Sequence, residues 1–518
     1  MSPVKRIILN TCASYGRTLF SMFLGLFSAR WVLNGLGEID YGLFGVVGGI
    51  VLFVGLLNSL LASSVARYYA YAIGESQALS AEEASDHLSK WFNSALLIHW
   101  ILPIVLILIG YPIGVFAIEH WLNIPDTRVV ASIWVFRMSL LLAFLNMISV
   151  PYIAMYQAKQ LIAELSIWGV VTTLANFFIA YYILRCSYDR FIVYSLLSVM
   201  APGLILCIQV YRARKHFSSC RLKIGYLFDA KRLCKIFSYA FWDFFGWLGA
   251  SIRDQGGLLI TNRNFGASTT AAYRIAQSVI TYTASLSGAI TSSMQPAITT
   301  AVGEKKNDEA RELSYKTSKF STLMILFFAI PLILEIDFVL KLWLINSPQF
   351  AAEFCQAILI ATVILKLGWG HHIAICAKGR IAAVQMVLGV TASFSLVILL
   401  FMIWLGVGAI SIGYSLMVTF FIMTIERVLF AKKLVQMSIR YWVFKILFPI
   451  AVTTALTLGL MKGFTMMFSP SLLRVLATSF LAVCIFTALS WFIVLSYEER
   501  NFIKRNVISR IKKCLLNI

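Results

Sequence analysis

The chain has 518 residues, of which 60% are hydrophobic and 13% charged, and its mean hydropathy is +0.82. Because a soluble protein keeps about a quarter of its residues charged, this composition excludes a soluble globular protein and predicts that lipid surrounds most of the surface. The formal net charge is +21, yet the basic residues are scattered over many short loops, so we do not expect nucleic-acid binding.

Long apolar stretches recur along the whole chain, and many reach the about 20 residues that a membrane-spanning helix needs. The first one continues for a full span after a short basic start, which indicates an uncleaved helix rather than a signal peptide. The predicted fold class is an all-α integral membrane protein with about 14 transmembrane helices. The predicted spans are 10–33, 41–73, 91–118, 129–155, 164–185, 190–211, 236–262, 270–301, 320–343, 351–375, 382–404, 407–430, 446–468 and 473–496.

The distribution of basic residues orients the predicted helices. Even-numbered loops and both termini hold about 30 of the 44 Lys and Arg residues, whereas odd-numbered loops hold about 4. Cytoplasmic loops of membrane proteins carry such an excess of positive charge. Both termini are therefore predicted to lie in the cytoplasm.

Several signatures of enzymes are missing from the sequence. The nine cysteines include no Cys-x-x-Cys pair, so neither metal binding nor redox chemistry is expected. No P-loop signature occurs, so the chain is not expected to carry its own ATPase. No long loop faces outward, which argues against a membrane glycosyl polymerase or ligase. We therefore predict that the protein is not an enzyme and needs no cofactor.

Two polar islands interrupt the apolar sequence at one fixed offset. AIGESQALSAEEASDHLSK covers 72–90 and AVGEKKNDEARELSYKTSK covers 301–319, an offset of 301 − 72 = 229 residues. The same offset aligns Gly37 with Gly266 without a gap. The islands are therefore predicted to be equivalent hinges in an internal repeat.

Each repeat holds six spans, so the two halves have the same orientation and should be related by an axis along the membrane normal. We predict two six-helix lobes that enclose a V-shaped cavity and open it to either side by rocking. The predicted organisation is an N-lobe at 1–211, a basic cytoplasmic linker at 212–235, a C-lobe at 236–430, two additional spans at 431–496 and a basic cytoplasmic tail at 497–518.

Basic residues inside the spans are the main candidates for a binding site. A charge at mid-helix costs roughly 2.5–3.5 kcal/mol, so these side chains should face protein or a watery cavity. Snorkelling to the headgroups is expected for Lys341, Lys462 and Arg474. Arginine offers a planar fork that suits phosphate oxygens, and structural ion pairing is the alternative role. The predicted diphosphate-binding residues are Arg17, Arg67, Arg253, Arg274 and, equally compatible with snorkelling, Arg30.

Acidic and titratable candidates are few. Asp243 and Asp254 are 11 residues apart, which places them on one face of a helix. Asp254 either balances the charge of its neighbour Arg253 or exchanges a proton or sodium ion. His371 could titrate near neutral pH, although a buried, hydrogen-bonded role is favoured. Asp254, Asp243 and His371 are therefore the candidates for ion coupling.

The first lobe resembles a known family. YGRTLFSMFLGLFSARWVLNGLGEIDYGLFGVVGGIVLF is similar to the first two helices of bacterial polysaccharide exporters in the multidrug/oligosaccharidyl-lipid/polysaccharide (MOP) superfamily. In that family a Leu-Gly, here Leu36-Gly37, is followed by an acidic residue and Tyr-Gly-Leu-Phe, here Tyr41 to Phe44. SSVARYYAYAIG resembles the end of helix two with Arg67 in place, and NFGASTTAAYRIAQSV and SMQPAIT resemble helices seven and eight.

The resemblance implies a flippase of the bacterial inner membrane. Such proteins move an undecaprenyl-diphosphate-linked sugar from the cytoplasmic to the periplasmic leaflet, and O-antigen (Wzx-type) flippases are the most similar in character. The implied partners are the lipid-linked oligosaccharide and membrane lipids, with the basic loops as candidate docking sites for polysaccharide polymerases or glycosyltransferases. The alternatives are a lipid II-type flippase, which also has fourteen spans, and a cation-coupled multidrug exporter of the same superfamily. A non-transporting membrane scaffold, which would tolerate loss of every charge within the spans, also stays open.

Overall fold

The computed structural model describes residues 3–76, 79–122, 124–343 and 349–504, and no strand occurs in these ranges. A helix satisfies its own backbone hydrogen bonds, which lipid cannot do, so the apolar runs fold as helices. This confirms the predicted all-α class. The helices are α1 (Pro3–Glu75), α2 (Ala81–Phe116), α3 (Val129–Ala158), α4 (Ile162–Ile183), α5 (Arg190–His216), α6 (Ala230–Gly303), α7 (Asn307–Trp343), α8 (Ala351–Leu367), α9 (Trp369–Lys378), α10 (Ala382–Trp404), α11 (Ser411–Val435), α12 (Ile439–Trp442), α13 (Phe448–Met467), α14 (Leu472–Leu489) and α15 (Tyr497–Ile503).

The two longest helices, α1 and α6, are each interrupted by one glycine. Gly37 has φ 79° and ψ 169°, and Gly266 has φ 82° and ψ −179°. This backbone region is essentially restricted to glycine. The two interruptions are 266 − 37 = 229 residues apart, the offset of the sequence repeat. Each long helix therefore consists of two consecutive spans that turn at an equivalent position.

Many of the predicted spans correspond to long apolar helices. In the part of the chain that the structure describes, nine helical segments are long and apolar enough to cross a membrane, and α8 and α9, bent by 44°, form a tenth. The glycine turns divide α1 and α6 into two segments each, which is compatible with the predicted total of about 14 spans. The fold is therefore that of a multi-pass membrane protein.

The first compact unit comprises Met1–Phe245, Ser292–Ala310 and Ala377–Ala382. Its interior contains the buried side chains of Tyr69, Phe92 and Met155, which join α1 to α2 and α3. Asn10 makes two of the polar contacts that hold the first half of α1 in place. Its Nδ2 donates to the carbonyl of Gln160 at 2.8 Å, and its Oδ1 accepts from the backbone N–H of Ala163 at 2.9 Å.

The second compact unit comprises Gly246–Thr291, Arg311–Cys376 and Ala383–Ile518. Its larger core holds Tyr273, Phe354 and Leu416. The C-terminal helices α13 and α14 pack against α7 through a separate apolar cluster that includes Leu326 and Phe486. The predicted lobe boundaries and the V-shaped cavity stay predictions.

A buried ion pair joins α14 to α7 and corrects one expectation. Arg474 was predicted to snorkel to the headgroups. Instead its Nη2 donates to Oε2 of Glu335 at 2.7 Å, and Thr478 donates to the other carboxylate oxygen at 2.9 Å. The Glu335 side chain is 1% exposed and that of Arg474 is 13% exposed. The prediction was wrong because the acidic partner lies 139 residues away in sequence.

Candidate substrate cavities

A cavity of about 450 Å³, the first cavity, lies inside the first unit between α1, α3, α4 and the end of α6. It brings together two of the predicted arginines, Arg17 and Arg67. Hydroxyl and amide side chains line much of the remaining wall. None of the lining residues, all of which belong to the described ranges, carries a carboxylate. The cavity therefore suits a ligand with negative charge and many hydrogen-bonding groups.

Arg17 presents its guanidinium to this cavity without competition from protein groups. Its side chain is exposed, and within the described residues no hydrogen-bond or ion-pair partner is found for it. A Cβ on Gly169 of α4 would lie 2.5 Å from Cδ and 3.3 Å from Nη1 of Arg17. The glycine therefore provides the space in which the arginine lies along α4.

Arg67, in contrast, is buried and held in one orientation. It is 7% exposed, and its Nη2 donates to the carbonyl of Ala377 at 2.9 Å. Its guanidinium carbon lies 4.7 Å from the ring centre of Tyr68 and 5.0 Å from that of Tyr239. Cation–π contacts of this kind are worth about 2 kcal/mol or more when desolvated. The fork is therefore preorganised at the wall of the cavity.

The lining of the first cavity follows the internal repeat. Ser63 and Ser292 both line it, and 292 − 63 = 229. The same offset relates Arg67 to Pro296, which also lies on the wall. Equivalent faces of two equivalent helix segments therefore form part of the cavity wall, and of these two faces only that of α1 supplies a cation.

A second cavity of about 320 Å³ lies inside the second unit and contains Arg253 and Asp254. Nε and Nη2 of Arg253 donate to the two carboxylate oxygens of Asp254 at 2.8 and 3.1 Å. The guanidinium also lies 4.9 Å from the ring centre of Phe420. Asp254 therefore balances the charge of Arg253, which is one of the two roles that the sequence predicts for it. Gln277 and Tyr273 also line this cavity and add polar groups to its wall.

Neither His371 nor Asp243 lines either cavity. His371 is 1% exposed, and its Nδ1 lies 3.4 Å from Oγ of Ser318. Asp243 is half-buried in the first unit. The side chains of Arg30 and Arg274 lie outside the described part of the chain. Their predicted roles stay predictions.

Sequence reasoning missed two kinds of residue. The amides of Gln157 and Gln295 line the first cavity. A glutamine within an apolar span is a signal that could have identified Gln295, whereas Gln157 lies just beyond the predicted span 129–155. The second is Arg427, which is buried near another in-span cation, Lys366; their charged groups lie 4.9 and 4.7 Å, respectively, from the ring centre of Trp369. Their proximity depends on the packing of α8 against α11, which no local pattern reveals.

The fold is similar to that of solved membrane transporters. An outward-facing multidrug resistance MATE family transporter of the MOP superfamily superposes with a TM-score of 0.70 at 13% identity, over 84% of this chain and 96% of that one. A MATE transporter in its bent conformation gives 0.69 at 12% identity, over 84% and 96%. A MOP superfamily transporter from Pyrococcus furiosus, described as having a binding pocket of reversed polarity that suggests a different function, gives 0.67 at 13% identity, over 84% and 96%.

The comparisons by sequence add no further relatives. No protein-family model matches the chain, and a search of curated proteins finds no match. The similarity of this chain to known proteins therefore rests on its structure. The chain has the same fold as these solved MATE transporters.

Proposed function

We propose that this protein is a flippase that moves an undecaprenyl-diphosphate-linked oligosaccharide from the cytoplasmic to the periplasmic leaflet by alternating access. The fold supports a membrane transporter. The first cavity supports the choice of an anionic substrate, because Arg17 and Arg67 line it together and none of its lining residues, all of them described, carries a carboxylate. The polyprenyl chain would stay in lipid while the charged and sugar groups cross through the protein.

The two arginines suit different parts of this task. Arg67 is fixed by its hydrogen bond and its two ring contacts, so it would hold phosphate oxygens in a defined geometry. Arg17 has no partner in the described residues and is exposed, so it can move toward the ligand. A guanidinium that binds a phosphate makes paired, charge-assisted hydrogen bonds. An anionic ligand would also offset the cost of keeping these cations inside a membrane protein.

Neighbouring hydroxyl and amide groups would then bind the sugar and the remaining phosphate oxygens. Gln157, Gln295 and Ser63 line the same space as the arginines. Such groups donate and accept hydrogen bonds without adding charge. In this proposal Arg253 would guide the substrate rather than hold it, because Asp254 matches its charge. Arg274 and Arg30 keep their predicted role in binding the diphosphate.

A cation-coupled multidrug exporter is the competing function. It would need an acidic cavity for cationic substrates, whereas the acidic residue of the second cavity, Asp254, is paired with Arg253. A lipid II-type substrate carries the same diphosphate. The sugar head group of the transported lipid therefore distinguishes a lipid II-type flippase from the proposed function. Ion coupling remains part of the proposal, with Asp254, Asp243 and His371 as the candidate residues.

Deletion of the gene in its native host tests the proposal. We expect surface polysaccharide to be lost and the undecaprenyl-diphosphate oligosaccharide to accumulate on the inner leaflet, where its head group identifies the substrate. Complementation with Arg212→Ala, which removes a surface arginine paired with Glu164, should restore the polymer. Normal polymer without accumulated intermediate, in a host with no redundant flippase, would favour the drug exporter.

A further inference from the structure

A third cavity, of about 360 Å³, lies in the first unit between the start of α6 and the turn that joins α9 to α10. Its walls include Lys235, Arg380, Tyr239 and Trp242. We propose that this cavity binds the phosphate headgroup of an anionic membrane phospholipid. The site is separate from the transport cavity and does not depend on which molecule is transported.

The rim of the third cavity carries two positive charges that the protein does not neutralise. The side chains of Lys235 and Arg380 are exposed. Neither has an ion-pair or hydrogen-bond partner for its charged group in the described residues, and no carboxylate is among the residues that line the cavity there. Basic pockets between transmembrane helices at the cytoplasmic side are suited to anionic headgroups. The charge of the rim therefore selects a negatively charged ligand.

The position along the helices indicates the interface between lipid and water. Lys235 lies five residues after Ala230, where α6 begins, which corresponds to about 8 Å of helix. Arg380 lies in the short break between Lys378, where α9 ends, and Ala382, where α10 begins. Tyr and Trp side chains are enriched at the interface between membrane and water. Tyr68, Tyr239 and Trp242 line this cavity. The cavity therefore lies at the level of phospholipid headgroups.

Apolar side chains next to the cavity favour a lipid over a soluble phosphate. Phe237 and Phe241 are 47% and 60% exposed and lie one helical turn apart on α6. The ring of Phe241 is 5.4 Å from that of Trp242, which lines the cavity. A headgroup bound between Lys235 and Arg380 would thus leave its acyl chains beside an apolar surface. A free phosphate would gain nothing from these rings.

Arg67 separates this site from the first cavity. Its guanidinium lies against Tyr68 and Tyr239, and both rings also line the third cavity. The arginine is thus part of the wall between the two spaces. A phospholipid in the third cavity would therefore remain outside the space that contains Arg17.

A native cysteine inside the cavity provides the test. Cys234 is exposed and lines the third cavity, so its alkylation by N-ethylmaleimide reports on occupancy. The full chain is reconstituted in nanodiscs of phosphatidylcholine alone or with phosphatidylglycerol, and modification is measured for each cysteine by mass spectrometry. We expect phosphatidylglycerol to slow alkylation of Cys234 by about fivefold. Cys12, which is also exposed, serves as the internal reference.

The double variant Lys235→Gln and Arg380→Gln should lose this protection in the same nanodiscs, where the surface potential is unchanged. Equal rates in both lipids for the wild type, or full protection in the double variant, would overturn the proposal. Glycerol phosphate added to phosphatidylcholine nanodiscs tests whether the site takes a soluble phosphate rather than a lipid headgroup. Protection by this soluble headgroup as strong as that by phosphatidylglycerol would mean a soluble phosphate site and would also contradict the proposal.

Discussion

Gly74 and Gly303 pack backbone against backbone in the first unit. A Cβ on Gly74 would lie 2.8 Å from Cα of Gly303, and a Cβ on Gly303 would lie 3.0 Å from Cα of Gly74. Since 303 − 74 = 229, each glycine contacts its own equivalent in the repeat. A residue meets its symmetry mate only beside a two-fold axis. The contact therefore marks an approximate two-fold axis at the ends of α1 and α6.

Replacement of either glycine by alanine should destabilise the protein, because the added methyl group has backbone atoms in its way. Gly74→Ala or Gly303→Ala is expected to cost about 1–3 kcal/mol, the usual range for overpacking. Thermal unfolding in detergent measures the effect. The matched control is Gly55→Ala, since a Cβ at Gly55 would meet nothing within 4 Å. Equal stability of Gly74→Ala and this control would contradict the close packing.

The two interruptions of the long helices should respond alike to substitution. Gly37→Ala and Gly266→Ala each place a side chain in a backbone conformation with φ near +80°, and strain of this type costs of order 1–3 kcal/mol. Both variants should therefore melt earlier than the wild type by similar amounts. Gly288→Ala, in open space within α6 and without a positive φ, is the control. A wild-type melting temperature for either variant would show that its turn is not needed.

The buried ion pair of Glu335 and Arg474 should be sensitive to loss of one partner. Glu335→Gln leaves the arginine uncompensated, and breaking a buried pair in this way typically costs about 3–5 kcal/mol. The double change Glu335→Gln with Arg474→Met should recover much of that stability because no unpaired charge remains. Thermal unfolding of the single and double variants measures the coupling. Additive effects would indicate that the two side chains do not form this pair.

The position of Cys220 in the loop after α5 predicts a pH dependence of its reactivity. Burial raises the pKa of the Cys220 thiol to about 12, so the thiolate is scarce at pH 8 and stays scarce until the pH rises far above the ordinary thiol range. In phosphatidylcholine nanodiscs we expect N-ethylmaleimide to modify the exposed Cys234 at pH 8 well before Cys220. Unfolding in detergent should equalise them. Modification of both at one rate in the folded protein would contradict the burial.

The shape of the guanidinium at Arg67 should matter more than its charge. Arg67→Lys keeps a cation but loses the planar contacts with Tyr68 and Tyr239, and lysine cannot reproduce a stacked, paired geometry. We expect transport to fall by about tenfold, equivalent to about 1.4 kcal/mol. Arg17→Lys, at an exposed position without such contacts, should retain more activity. Initial rates of transport in proteoliposomes measure the effect of each substitution. A wild-type rate for Arg67→Lys would refute the preorganisation of the Arg67 guanidinium.

Features that recur along the chain could be predicted from the sequence. The spans follow from hydropathy because lipid imposes a length and a composition on each helix. The offset of 229 residues aligned Gly37 with Gly266, and the structure interrupts a helix at both. Arg253 and Asp254 are sequence neighbours, so their pairing was a foreseeable alternative.

Features that depend on contacts between distant segments could not be predicted. Nothing near Arg474 in sequence identifies Glu335 as its partner. In the second half of the repeat, Pro296 occupies the position equivalent to Arg67. The internal symmetry therefore does not indicate which half supplies the cation. The ring of Trp369 joins Lys366 to Arg427 only after α8 packs on α11. Such contacts are set by packing of helices rather than by local pattern.

Transport by the purified protein tests the central claim most directly. The protein is reconstituted in proteoliposomes with a fluorescent undecaprenyl-diphosphate-linked oligosaccharide, and the fraction that crosses between leaflets is measured by quenching from outside. We predict crossing with the wild type and with Arg212→Ala, and a rate no faster than empty liposomes with Arg17→Ala combined with Arg67→Ala in a protein that remains folded. Crossing by the double variant at the wild-type rate would contradict the assignment of the first cavity.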